Sequence, residues 1–312
     1  MKPKSSQSGK KNTFCSLVIG RLFVATGYTV DFSYVVGTES FDVLALTTCQ
    51  SLPDYPLSVA EATGAFVNNK VVICGGDGGG TKCYTLGKDE NTWTLIGNMN
   101  TARVGAVSVE INNKLVIFGG QRFASSTEEF DVVAGTSTTG SDMPLAIIWS
   151  CAVKLDSSTV MIIGGNSGGF LKSTYFYNHN EKTFKAGPDF IVQRRNHACA
   201  ILQTKIGSYV VVTGGWNGDY LDSTEFLDLN EPTVWKAGLK ILSKPKMMQD
   251  HKSMLHFRSG ASGDKWQIED GTTHESGHRK RRMGSDWCRC ILYGYVHASL
   301  CHPRLHMGGH DD

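Results

Sequence analysis

The chain has 312 residues, with 31 Lys plus Arg against 29 Asp plus Glu, and this near balance of +2 gives no support for a globally charged nucleic-acid or membrane surface. Hydrophobic residues are 40% and charged residues 19%, enough for a sizeable core, which excludes wholesale disorder. No run approaches the ~18 uncharged apolar residues of a spanning helix, which excludes a helical membrane channel or carrier.

Residues 1–13 form a polar amino-terminal segment. An apolar stretch begins at Phe14 and is interrupted by Arg21, with no small-residue cleavage site after it. It reads better as a first β-strand than as a signal peptide. From there a pattern repeats. Val71-Val72-Ile73-Cys74, Leu115-Val116-Ile117-Phe118, Val160-Met161-Ile162-Ile163 and Tyr209-Val210-Val211-Val212-Thr213 each run into a Gly-Gly pair, at Gly75, Gly119, Gly164 and Gly214. The first glycines lie 44, 45 and 50 residues apart, a spacing that marks a repeat architecture. Leu22 to Gly27 is a degenerate earlier copy that keeps one glycine.

Each unit predicts four short strands. A first strand precedes the Gly-Gly strand, as in Gly105 to Val109 and His197 to Ile201. A third follows, as in Ser126 to Asp131, Ser173 to Tyr177 and Ser223 to Asp228. A fourth carries Trp93, Phe184 or Trp235. Asn68-Asn69 and Asn112-Asn113 predict hairpin turns. A strand that is apolar on both faces needs cover on both, and four-stranded sheets stacked radially supply it.

These four Gly-Gly strands, the later aromatic, and basic residues such as Arg103 and Arg195 ahead of a new first strand resemble the kelch-repeat family of β-propellers, over about Leu22 to Phe257. The resemblance implies an all-β propeller of about five recognisable blades in residues 14–258. The ring is either closed by a strand at His251 to Phe257 or left open as an incomplete propeller. Residues 259–312 break the pattern, hold six of the ten histidines, and are expected to form a poorly structured tail.

Finer wording around Cys49 to Pro56, Cys74-Gly75-Gly76, Cys83-Tyr84 and Arg195 to Cys199 is similar to extracellular kelch proteins of invertebrates. Cys74 and Cys83 flank a glycine-rich turn between adjacent antiparallel strands, so a bridge between them is reachable. Cys49 competes for either one, since the resemblance keeps all three together. The competing expectation is reduced thiols in a cytoplasmic protein. No Asn-x-Ser/Thr sequon is present, which weighs against the extracellular placement.

Candidate chemistry is sparse. Gly75 to Lys82 looks like a phosphate cradle but lacks the ordered Gly-Lys-Ser/Thr ending, so it reads as a strand-end turn. His274, His278, Cys288, Cys290, Cys301 and His302 have zinc-ligand types without zinc-site spacing, and Arg279 to Arg282 reads as a solvated charge cluster. Copper-radical oxidases share the fold, but His179, His197, His251 and His256 make no matching motif.

The expectation is therefore a non-enzymatic protein–protein interaction module with no cofactor and no metal, whose loops meet an unidentified protein partner. An intracellular adaptor fragment is the alternative. Propeller loops carry recognition, and Arg, Trp and Tyr are enriched in binding hot spots. The candidate partner-binding residues are Arg103, Arg122, Trp149, Arg194, Arg195, Trp216 and Tyr220. Arg103 and Arg195 have a competing role, pairing with acids inside the blade frame.

Overall fold

The structure, a computed structural model, describes residues 14–18, 21–29, 32–42, 50–87, 89–120, 125–240 and 296–298. It is an all-β propeller of five four-stranded blades. Blade one comprises β1 (Phe14–Val18), β2 (Arg21–Ala25), β3 (Thr38–Asp42) and β4 (Gln50–Leu52). Blade two comprises β5 (Thr63–Val67), β6 (Lys70–Cys74), β7 (Lys82–Gly87) and β8 (Thr94–Asn98). Blade three comprises β9 (Val107–Ile111), β10 (Lys114–Phe118), β11 (Thr127–Asp131) and β12 (Thr136–Thr139). Blade four comprises β13 (Cys151–Lys154), β14 (Thr159–Asn166), β15 (Phe170–Asn178) and β16 (Thr183–Ala186). Blade five comprises β17 (Ala198–Thr204), β18 (Gly207–Thr213), β19 (Thr224–Asp228) and β20 (Trp235–Ala237).

Within each blade the strands are antiparallel and in sequence order. Asn68-Asn69 and Asn112-Asn113 both take positive φ, between 49° and 62°, the twist that a two-residue hairpin needs. Blade one has its own first strand, β1. The segment His251 to Phe257 lies outside the described residues. A further strand, β21 (Val296–Ala298), runs parallel to both β1 and β17 and joins blades five and one into a nine-stranded sheet. The rest of the segment expected to form a tail lies outside the described residues.

The second strand of each inner blade supplies two cores at once, because alternate side chains leave opposite faces of the sheet. Val71 and Ile73 pack toward blade one while Val72 and Cys74 pack toward blade three. Leu115 and Ile117 face blade two while Val116 and Phe118 face blade four. Val160 and Ile162 face blade three while Met161 and Ile163 face blade five. Each fully buried aliphatic side chain contributes about 1.5–3 kcal/mol. The fourth-strand tryptophans add a polar tie. Trp93 Nε1 donates to the Pro53 carbonyl at 2.9 Å and Trp235 Nε1 to that of Pro188 at 3.0 Å.

Two disulfides are present among the described residues. Cys74 and Cys83 stand directly opposite on β6 and β7. Cys151–Cys199, which the sequence reading did not pick out, joins β13 to β17 with Cα atoms 6.0 Å apart and so links two blades. Loop-closure entropy makes the second the larger contributor, about 4 kcal/mol against about 3 for the first. Cys49 lies outside the described residues, and among the described residues no helix is long and apolar enough to cross a membrane.

The Gly-Gly pairs fix the blade-to-blade spacing. Both glycines of every pair have φ between 57° and 106°, and a Cβ on Gly119 would stand 2.2 Å from the Ile147 carbonyl oxygen. Gly214 shares the backbone conformation, but its Cβ would meet nothing closer than 3.8 Å. Gly119→Ala should therefore cost roughly 3 kcal/mol, strain plus overpacking, and Gly214→Ala only about 1 kcal/mol. Equal losses in urea denaturation would contradict that reading of the seam.

Candidate functional site

The loops entering β5, β9, β13 and β17 lie on one face of the ring. Glu61, Gly105, Trp149 and Asn196 hold equivalent places there, all at φ between 52° and 66°. They form a hydrogen-bonded ladder from blade two to blade five. Gly105 N–H donates to the Glu61 carbonyl at 3.0 Å, Trp149 N–H to Gly105 at 2.9 Å, and Asn196 N–H to Trp149 at 3.0 Å. A tryptophan in the left-handed region is strained by about 1–3 kcal/mol and persists only where its surroundings hold it. Here the holding group is Glu61: Trp149 Nε1 donates to its Oε2 at 2.9 Å, from blade four to blade two. Blade three presents a glycine between them.

Arg195 lies over this tryptophan. Its guanidinium carbon is 4.3 Å from the Trp149 ring centroid and 5.5 Å from that of Phe170, close enough for cation–π attraction. Its backbone pairs with that of Trp216, and Trp216 packs edge-on against Tyr220 at 4.8 Å. The Arg195 guanidinium has neither an ion pair nor a hydrogen bond among the described residues. Beside it, Asn196 Oδ1 is buried without a hydrogen-bond donor.

Arg103 and Arg194 are different. They are 1% and 0% exposed. Arg103 pairs with Glu128 at 3.0 Å and donates to the Gly119 and Ser126 carbonyls and the Ser126 hydroxyl. Arg194 repeats this with Glu225 at 2.6 Å, Gly214 and Ser223. Burial pulls the Arg194 guanidinium below its usual range, and the Glu225 carboxylate opposes that shift. His197 lies next to this frame, 1% exposed, with neither ring nitrogen in a hydrogen bond of ordinary geometry. Burial first, then the Arg194 charge, holds it down to about 3, while the nearby Ile163 carbonyl works the other way.

Of the residues picked from the sequence, Trp149, Arg195, Trp216 and Tyr220 come together on one face. Arg103 and Arg194 serve the frame and present no surface. The register of the seam makes Arg194, not Arg195, the counterpart of Arg103, because the carbonyls of these two residues accept the Gly76 and Gly165 amides. Arg122, like the rest of 121–124, lies outside the described residues, as do His274, His278, Cys288, Cys290, Cys301, His302 and Arg279 to Arg282. Gly75 to Lys82 is the turn between β6 and β7, cinched by the Cys74–Cys83 bridge. Glu61 and Phe170 were not foreseen, and Asn196 was noted only as part of the loop that carries Arg194 and Arg195. Glu61 carried a usable signal: it stands 44 residues before Gly105 and 88 before Trp149, in register with the repeat.

No protein-family model matches the chain. Curated proteins named N-acetylneuraminate epimerase, from Salmonella typhi, Salmonella enteritidis PT4 and Salmonella typhimurium, are 30% identical over 138 residues. The match takes in 39% of this chain and spans 36%, about a third, of the length of each relative. It overturns the expectation that the chain is not an enzyme, because these relatives are enzymes by name.

The state of His197 has a consequence for stability. Its folded pKa lies below the ordinary histidine value of about 6.5, so between about 6.5 and 3 the unfolded chain binds the extra proton. Stability contributed by the neutral ring is complete above pH 6.5 and falls by about 1.4 kcal/mol per unit as the pH drops toward 3. Urea denaturation of the wild type and His197→Leu at pH 7.5, 6 and 5 should show the gap between them closing in favour of the variant. A gap that is constant with pH would contradict the assignment.

Proposed function

We propose that the chain is a kelch-type propeller, formed by residues 14–258, whose loop face recognises a carboxylate-bearing partner through Arg195. The observation that carries this reading is a guanidinium held on the Trp149 ring, at 4.3 Å, without an acid of its own among the described residues. An arginine pre-organised by stacking offers its donors to a carboxylate in a two-pronged geometry and loses little rotamer freedom in doing so. Trp149, Trp216 and Tyr220 around it supply the rigid aromatic area typical of binding hot spots. A protein partner presenting an acidic side chain suits such a face. The two disulfides support a place outside the reducing cytosol.

A second reading is favoured by the match to N-acetylneuraminate epimerases. N-acetylneuraminate is itself a carboxylate, borne next to its anomeric carbon. On this reading Arg195 holds the sugar carboxylate, and Glu61, fixed by the Trp149 indole, is the group placed to move a proton.

Tryptophan fluorescence during titration with N-acetylneuraminate, and separately with a Glu-rich peptide, tests both. Saturable quenching by one of them is expected, weakened at least tenfold in Arg195→Gln, in line with the ~1.5–3 kcal/mol of a charged hydrogen bond. Faster interconversion of the sugar anomers, followed by NMR, selects the second reading. Binding that is absent for both ligands, or unchanged in Arg195→Gln, would sink the assignment of this face.

A further inference from the structure

We propose that Asn217, in the loop that carries Trp216 and Tyr220, is a site of self-acting modification: its side-chain amide is lost through a succinimide to give isoaspartate and aspartate, and the product weakens the Arg195 face. The chain has one Asn-Gly pair, Asn217-Gly218, and it stands in this loop. The loop is closed by backbone pairing of Trp216 with Tyr220, and Trp216 pairs in turn with Arg195.

Asn217 N–H donates to the Asp219 carbonyl at 3.2 Å, and Asp219 N–H donates back to Asn217 Oδ1 at 3.4 Å. The second bond folds the side chain over the peptide that follows it, so the ring it closes contains both Asn217 Cγ and the Gly218 nitrogen. Gly218 N–H has no acceptor among the described residues. Gly218 is exposed, takes φ of +112°, and a Cβ there would meet nothing within 4 Å. The nucleophile is therefore next to the electrophilic carbon, uncommitted, and open to water.

The Gly218 nitrogen gives its proton to hydroxide and bonds to Asn217 Cγ. The Asp219 N–H, already on Oδ1, stabilises the negative charge that develops there. The Cγ–Nδ2 bond then breaks, Nδ2 takes a proton from water, and ammonia leaves a five-membered imide behind. Water opens that ring at either carbonyl carbon. Opening at Cγ gives aspartate, and opening at the main-chain carbon gives isoaspartate, whose backbone path is longer by one methylene. Water is the co-reactant, and nothing is oxidised or reduced.

Either product adds a negative charge to the segment that pairs with Arg195, and isoaspartate also lengthens the loop that sets Trp216 against Tyr220. A carboxylate ligand is then opposed by charge and offered a displaced aromatic wall. This consequence rests on the carboxylate-binding reading of the Arg195 face; the modification itself does not.

The full chain is held at 37 °C at pH 8.5, in buffer and in urea, and at pH 6 in buffer. Digests taken at intervals are followed by mass spectrometry, and isoaspartate is scored with isoaspartyl methyltransferase. Asn217 should convert faster than every other asparagine, faster at pH 8.5 than at pH 6, and no more slowly in the folded chain than in urea. Gly218→Ala, which places a methyl group beside the attacking nitrogen, should slow conversion at least tenfold. The aged chain and Asn217→Asp should both bind at least threefold more weakly whichever of N-acetylneuraminate and the Glu-rich peptide the fresh chain binds. Conversion no faster than at other asparagines, slower in the folded chain than in urea, or unchanged in Gly218→Ala would overturn the modification site. Undiminished affinity in both the aged chain and Asn217→Asp would overturn its effect on the face. If the fresh chain binds neither ligand, the Arg195 reading falls and the effect on the face with it, while the conversion rates still decide the modification.

Discussion

Everything in this propeller depends on how one blade is fastened to the next, and at two of the seams a buried arginine does this. The Arg103 carbonyl accepts the Gly76 amide of blade two at 2.8 Å, while its guanidinium holds Glu128, Gly119 and Ser126 of blade three. Arg194 fastens blade four to blade five in the same way, through Gly165 on one side and Glu225, Gly214 and Ser223 on the other. Burying two charges is costly, and the pairs persist because nearly every donor on the guanidinium finds an oxygen. Where the arginine is replaced by Val59 or Ile147, the third strand carries Tyr84 or Tyr175 in place of the glutamate, and the same backbone contact is kept by apolar packing. The seam therefore tolerates two chemistries but one backbone geometry.

That geometry explains what was legible. A left-handed pair of residues is a local demand that glycine meets, so the Gly-Gly spacing gave the blades and their order. The alternation along β6, β10 and β14 was equally plain, because both faces are apolar and both are buried. The face was harder to see. Arg103, Arg194 and Arg195 are alike as letters, and only the seam's hydrogen-bond register separates two buried rivets from one half-buried guanidinium stacked on Trp149. The Ser-Thr-Glu triplets at Ser126 and Ser223 were the usable hint, since the two blades that carry this triplet are the two fastened by a buried arginine. The Glu61–Trp149 contact, 88 residues long, and the Cys151–Cys199 bridge depend on blades meeting in space, and no local pattern announces them.

Non-glycine residues with positive φ stand at both ends of the blades: Asn68, Asn69, Asn112, Asn113 and Lys182 in hairpins at one end, and Glu61, Trp149 and Asn196 on the loop face at the other. The frame beneath the loop face is rigid and already satisfied, so it can hold costly conformations above it. The result is a face that carries a cation on aromatic rings at blades four and five. Such an arrangement suits recognition of a ligand by its charge and its shape, whether or not chemistry follows.

The fastening of blades is most directly read by amide hydrogen exchange at the second glycine of each pair. Gly76, Gly120 and Gly165 donate to carbonyls of the following blade's loop at 2.8, 3.0 and 3.0 Å, whereas the Gly215 amide has no acceptor among the described residues. If the seam holds the ring together, the first three amides exchange as slowly as those of the central strands, and Gly215 exchanges at loop rates. Fast exchange at Gly76, Gly120 and Gly165 alike would mean that the blades are held by their apolar faces alone, and the account given for the Gly-Gly and arginine pattern would be wrong.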